Sequence, residues 1–251
     1  MKFAGIIAEY DPFHNGHAWQ LAQAKALGAE RVAVAMSCSL VQRGALPLLP
    51  EAVRTRSALT CGADLVFALP APCACAGAEA FARAGVALLA AAGCDGLVFG
   101  AETPDSALLM EAAELLDSGS YRAALKAQLA GGARSFAAAR QAAAAQLASD
   151  ERVAALLDKP NNNLAVEYCR AIRSLAPRME AYPLPRQGAN HGEALHSAHG
   201  QFASASALRR LWAESGADAV APYVPEAVFP LYQEAYAAGQ YTEIGRASCR
   251  E

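Results

Sequence analysis

Two histidines, His14 and His17, follow an apolar run, Phe3-Ala4-Gly5-Ile6-Ile7-Ala8, and are separated only by Asn15 and Gly16. The run has the length of a buried strand, and Asp11-Pro12 after it is a turn signal. The stretch from Ala18 to Leu27 reads as a helix. The imidazoles therefore stand where a strand hands over to a helix N-terminus, the place where open α/β sheets bind ligands. Unpaired N–H groups and the positive dipole end favour an anion there. Gly16 lets the backbone come close to it. Two imidazoles can donate to phosphate oxygens as charge builds up. A His-x-x-His pair can also be half a metal site, but Glu9 and Asp11 are the sole acidic or thiol groups close by in sequence, so no metal site is expected.

Four other segments can carry chemistry. Ser204 and Ser206 open a helix and Arg209 lies about one turn on, which builds a second anion site by the same logic. Ser37 to Gly44, with Arg43, can hold phosphate or acetate. Gly100 ends an apolar strand, where a purine can lie against bare backbone. Asn161 and Asn162, after Lys159-Pro160, can cap a helix, read a base or ribose, or both.

The elements that must position these groups alternate. Strands are expected at 3–8, 30–37, 63–70, 95–102 and 179–185. Helices are expected at 50–62, 79–93, 161–174 and 204–216, with an Ala-rich helical stretch over 105–157 broken at Gly131-Gly132. Near-continuous apolar strands joined by helices imply a parallel sheet covered on both faces. The expected class is α/β, a Rossmann-like parallel sheet with helices on both faces.

The chain has 251 residues and a formal net charge of −3, so it carries no global basic signature for RNA. Its seven cysteines lack zinc-site spacing and a secreted disulfide pattern; Cys73 and Cys75, the one close pair, read as small buried thiols. Residues 1–20 lack a signal-peptide pattern, and the most apolar stretch is too short to span a bilayer. A cytoplasmic protein without membrane contact is expected.

A strand–HxGH–helix context is the signature of nucleotidyltransferases and class I synthetase-like enzymes. In order, GIIAEYDPFHNGH, MSCSLVQRG, GADLVFALP, GLVFGAE, KPNNNLAVEY, RQGANHGE and ASASALRRLW resemble the tRNA(Met) cytidine acetate ligase family, from residue 1 to about residue 242. The resemblance implies the HxGH nucleotidyltransferase type of sheet. It implies that ATP activates acetate to acetyl-adenylate, and that the acetyl group then passes to the wobble cytidine of elongator tRNA(Met), giving N4-acetylcytidine. It places ATP on Ile7, Ala8, Glu9, Tyr10, Asp11, Pro12, Phe13, His14, Asn15, Gly16, His17, Ala18, Trp19 and Gln20, on Gly100, on Asn161 or Asn162, and on Arg186. Ser204, Ser206 and Arg209 would contact phosphate. His14, His17 and Arg209 would be catalytic, with Mg²⁺ bridging the phosphates and no stable protein partner implied. Other HxGH adenylyltransferases, and a non-catalytic nucleotide- or RNA-binding relative, are the alternatives.

The chain departs from the family pattern at Cys38, at Ala45-Leu46, and at Asn190 and Gly192, where the nearest carboxylate moves to Glu193. Family members continue into a further helical region that helps bind tRNA. The expected organisation is a catalytic domain over 1–220, the start of a truncated helical region over 221–242, and a foreign, adapter-derived tail over 243–251. Weak transfer to tRNA is expected of such a chain, with Arg43, Arg54, Arg56, Arg209 and Arg210 left to guide the anticodon end.

Overall fold

The computed structural model describes residues 1–42, 44–186 and 202–242. Arg43, residues 187–201 with Asn190, Gly192 and Glu193, and residues 243–251 lie outside the described residues. The apolar run after Lys2 forms β1 (Phe3–Ala8), and α1 (Asn15–Ala26) follows it. Next come β2 (Arg31–Ser37), α2 (Glu51–Thr60), β3 (Leu65–Leu69), α3 (Ala71–Ala74), α4 (Ala78–Ala91) and β4 (Gly96–Ala101). Four helices, α5 (Ser106–Asp117), α6 (Gly119–Ala130), α7 (Phe136–Leu147) and α8 (Glu151–Leu156), fill the Ala-rich stretch. The described chain closes with α9 (Pro160–Leu175), β5 (Glu180–Pro185), α10 (Ala205–Ser215), a 3₁₀ turn over Ala217–Tyr223 and α11 (Phe229–Ala237).

The five strands are parallel in the order β3-β2-β1-β4-β5. Strand order reverses between β1 and β4, the switch point where such sheets open a crevice. β1 pairs with β2 from Phe3↔Arg31 to Ala8↔Met36, but its ladder with β4 is confined to Ala4↔Gly96 and Gly5↔Leu97. Beyond Gly5 the carboxyl ends of β1 and β4 are no longer held together, and a cavity opens there.

Side-chain alternation along the strands divides the core into two layers. Ile7, Ala33, Ala35, Leu97 and Phe99 pack with α4, α5 and α9. Ala4, Ile6, Val34, Met36 and Val98 pack with α1, α2, α10 and α11 on the other face. In the first layer the buried Glu167 on α9 joins Arg140 of α7 at 2.6 Å and Arg170 at 2.7 Å, and Arg170 reaches Asp117 of α5 at 2.8 Å. These pairs fix α9, which carries Asn161 at its start.

The 105–157 stretch has more breaks than the glycine pair predicts. Ser118, Ser135 and Asp150 each start a new helix, accepting from Tyr121 N at 3.1 Å, Ala138 N at 3.1 Å and Arg152 N at 2.8 Å. Such caps satisfy N–H groups that a helix start leaves orphaned. Residues 221–242 are built into the second layer. The buried Tyr232 donates to Phe13 O at 2.6 Å, and Thr242 N donates to Leu48 O at 2.8 Å.

Candidate active site

The start of α1 explains the histidine spacing. His14 is the N-cap, and its Nδ1 accepts from Gly16 N at 3.0 Å. The Nδ1 of His17 accepts from His14 N at 3.2 Å. The two rings form a reciprocal capping box, a role usually filled by Ser or Thr with Glu or Gln. This draws the helix start back to Asn15, ahead of the Ala18 expected from periodicity. The rings stack with centroids 3.7 Å apart. A ring nitrogen that accepts from a backbone N–H carries no proton, so each neutral ring holds its proton on Nε2. Both imidazoles thus have one committed nitrogen and one donor left for a ligand.

Burial, then the neighbouring Arg186 charge, lowers the His14 pKa to about 3. Burial, then the charges of His14 and Arg186, holds His17 well below the ordinary value. Both rings are therefore neutral at pH 7, as their caps require.

Gly16 must be glycine here. A Cβ on it would lie 2.9 Å from Cε1 and 3.0 Å from Nδ1 of His14. Tyr10, in the preceding turn, adopts φ 50°, a left-handed conformation that persists only when its surroundings dictate it. Its buried ring packs edge-on against Phe13 at 4.9 Å and His17 at 4.8 Å.

A cavity of about 360 Å³ lies over these groups, between the splayed ends of β1 and β4. It brings together Ile7, Ala8, Glu9, Tyr10 and Asp11 with His14, Gly16, His17, Trp19 and Gln20. Gly100, Asn161, Arg186, Ser204, Ser206 and Arg209 also line it. Five of the expected ATP positions do not. Pro12 and Phe13 are buried beneath the loop, Ala18 lies on the helix body, and Asn15 donates to Pro222 O at 3.3 Å. Asn162 is fully buried; its Oδ1 accepts from Thr103 N at 2.9 Å and its Nδ2 donates to Thr103 Oγ1 at 3.1 Å. Its polar atoms hold the end of β4 rather than a base.

Two helix N-termini meet the cavity in different states. At α10, Ser204 Oγ caps Ala207 N at 3.2 Å, and Ala205 and Ser206, whose N–H groups open the helix without a helical partner, line the cavity. At α9, Glu102 fills that place: it accepts Asn162 N at 2.7 Å, Asn161 N at 3.2 Å and Asn161 Nδ2 at 2.5 Å. The α10 N-terminus is therefore open to an anion, whereas Glu102 already occupies that of α9.

Arg209 lines the cavity and is also paired with the β1–α1 loop. Its Nη1 donates to Asp11 O at 2.5 Å and lies 3.2 Å from Asp11 Oδ2, while Asp11 Oδ1 accepts Leu48 N at 2.6 Å. It ties the β1–α1 loop to α10. Arg54, expected to face RNA, is fully buried. It donates to Leu49 O at 2.9 Å, Glu9 O at 2.7 Å, Ser37 O at 2.6 Å and Cys38 O. Its guanidinium binds the carboxyl ends of β1 and β2 to the loop before α2.

Burial, then Glu51, pushes the Cys38 thiol up to about 11, which keeps it protonated at neutral pH. Among the described residues no cluster of three or more His, Cys, Asp or Glu could hold a metal. No helix among them is long and apolar enough to cross a membrane.

The sequence model of the HIGH Nucleotidyl Transferase family matches residues 1–247. The chain belongs to this family. Its strand–HxGH–α1 unit and the second helix N-terminus at Ser204 are thus those of a HIGH nucleotidyl transferase. The chain is 41% identical over 213 residues to the tRNA(Met) cytidine acetate ligase of Syntrophotalea carbinolica, covering 84% of this chain and 50% of that one. It is 34% identical over 244 residues to the protein of the same name from Caldanaerobacter subterraneus, covering 96% and 60%. Thermotoga maritima TmcAL bound with alpha-thio ATP superimposes with a TM-score of 0.86 at 30% identity, covering 96% of this chain and 57% of that one. The apo form of TmcAL gives 0.89 at 31%, covering 96% and 58%. The chain spans between 50% and 60% of the length of these relatives.

Two outcomes are expected from the histidine box. First, the unfolded histidines take up protons near 6.5 and the folded ones do not, so the unfolded state binds more protons below that pH. Stability should be full above about pH 6.5 and fall as pH drops toward about 3, the folded value of His14. Denaturant midpoints against pH check this, and a His14→Gln/His17→Gln double variant should show a shallower fall. Second, Gly16→Ala should displace the His14 ring. A shift of this kind costs on the order of tenfold to a hundredfold in turnover, against a loss of about 1 kcal/mol in stability from the weakened cap. Pyrophosphate release and a melting curve on one sample separate the two effects.

Proposed function

We propose that this chain activates acetate with ATP and transfers the acetyl group to the wobble cytidine of elongator tRNA(Met). The observation that carries the reading is the single cavity where two Nε2–H donors, Arg186 and the open N-terminus of α10 converge. That set suits a triphosphate, and it supplies no nucleophile of its own. The relatives' names support the substrates.

In the first step an acetate oxygen attacks the α-phosphorus. The new O–P bond forms as the bond to the β-phosphate oxygen breaks, and pyrophosphate leaves. Repulsion between the anions is a large part of the barrier, so fixed donors are worth most here. His14 and His17 donate through Nε2 to the phosphate oxygens. Ala205 N and Ser206 N take the departing phosphates. Arg209 reaches them by exchanging its Asp11 partner, one charge-assisted contact for another. Among the described residues no cluster of three or more ligating side chains could hold Mg²⁺, so the ion would enter with ATP. The ion would neutralise charge on the leaving pyrophosphate.

In the second step the cytidine amine attacks the acetyl carbon. A C–N bond forms, the C–O bond to AMP breaks, and the amine proton passes to solvent. RNA affinity depends on phosphate contacts across a broad basic surface. Arg56 and Arg210 are exposed here, whereas Arg54 is not. Acetylation of elongator tRNA(Met) should therefore be weak with this chain and stronger with a version extended by a relative's C-terminal region. Mass spectrometry of the digested tRNA reads both. Acetylcytidine from neither protein would reject the acceptor, and equal yields would place the RNA-binding surface within this chain.

A further inference from the structure

We infer that the wall of the cavity built by Ile7, Phe81, Phe99, Leu164 and Tyr168 holds the alkyl end of the carboxylic acid, and that Phe81 and Leu164 limit its length. The inference rests on the acid-activating reading above and assigns that substrate its place.

The cavity draws on both core layers, and the two sides differ in chemistry. From the α1/α10 layer come His14, His17, Ser204, Ser206 and Arg209, all donors. From the other layer come Phe81 on α4, Leu164 and Tyr168 on α9, Phe99 on β4 and Ile7 on β1. Apart from the Tyr168 hydroxyl that wall has no polar side-chain atom. A phosphate or ribose set against it would lose hydrogen bonds that water gave it. The purine has a better place at the ends of β4 and β5, where Gly100 bears no side chain and Leu184, Pro185 and Arg186 stand alongside. The apolar wall is left for the part of the second substrate that wants no water.

Little of this wall is exposed. Phe81 and Phe99 are each 3% exposed, Tyr168 4% and Ile7 9%, and the Phe99 and Tyr168 rings meet at 5.4 Å between centroids. So little apolar surface is open to the cavity that it suits a methyl group better than a longer chain.

Charge sets the orientation of the acid. Glu9, just past the end of β1, lines the same cavity as Ile7. Its Oε1 accepts Gln42 N at 2.6 Å, and its charge acts on Tyr168. The acid's oxygens find donors at His14, His17 and Arg186 across the cavity, which turns the acid with its alkyl end toward the apolar wall and its oxygens toward the α-phosphate.

The test is acid-dependent ATP–pyrophosphate exchange with acetate, propionate and butyrate. One methylene in an apolar pocket discriminates by about tenfold or more, so the native chain should prefer acetate to butyrate by at least that. Phe81→Ala and Leu164→Ala should each raise the butyrate-to-acetate ratio of kcat/KM by about tenfold. The ratio compares two acids on one sample, so loss of folded protein cancels. Should Phe81→Ala fail to fold, Leu164→Ala carries the test, its side chain being only half-buried. An unchanged ratio in a folded variant would overturn the subsite while leaving the activity standing. ATP binding without exchange for any of the three acids would overturn the activity, and the subsite with it.

Discussion

Replacing His17 with alanine is expected to lower acetyl-adenylate formation by about a hundredfold or more, the scale for removing one preorganised transition-state donor. The ring serves the site twice. Its Nε2–H is a donor for the phosphate, and its Nδ1 accepts His14 N at 3.2 Å, which holds the first ring in register. Its loss also removes the stacked face 3.7 Å from His14. The cap costs about 1 kcal/mol of stability, too little to unfold the domain, so the loss should fall on kcat. The KM for ATP should move less, because Arg186 and the α10 N-terminus still hold the ground state. Single-turnover measurement of adenylate formation, with ATP affinity measured separately, separates the two. Near-normal adenylate formation in a folded variant would take His17 out of the mechanism.

Arg54→Met should be among the most damaging substitutions for stability. Three buried carbonyls, of Ser37, Cys38 and Leu49, and the part-buried carbonyl of Glu9 share this guanidinium. Methionine fills the volume and leaves them without a donor, at about 1–3 kcal/mol for each one that water cannot reach. A total loss on the order of 3–5 kcal/mol is expected, a large share of a typical domain's stability. Arg54→Lys should recover part of it, since an ammonium has three donors but not the planar fork. Chemical denaturation of the three proteins checks the order Arg, Lys, Met. A difference below about 1 kcal/mol between Arg and Met would show that the guanidinium does not hold the strand ends together.

How far such residues could be read before the fold was known depends on where their partners lie. Phe3 to Ala8 and the two histidines are legible because strand, turn and helix follow one another within a short stretch. So is the alternation that makes a parallel sheet. Phe81 and Tyr168 read only as core, because their cavity role requires α4 and α9 to meet β1. Asn161 and Asn162 are neighbours on one helix, about 100° apart around its axis. One therefore lines the cavity and the other turns inward to Thr103, and composition does not tell them apart. Arg209 meets Asp11 across 198 residues. Arg54 reads as surface charge, although its place on a helix between Val53 and the buried Ser57 was a signal that it faced inward. Glu102 gives no local signal for a similar reason: the N–H groups it accepts lie 59 and 60 residues later.

The most direct measurement is ATP–pyrophosphate exchange by this chain alone, without tRNA, in the presence and absence of acetate. The cavity holds the donors that acid activation needs and does not depend on RNA, so exchange should require acetate and proceed without tRNA. Exchange that ignores acetate, or none at all from a folded chain that binds ATP, would contradict the account.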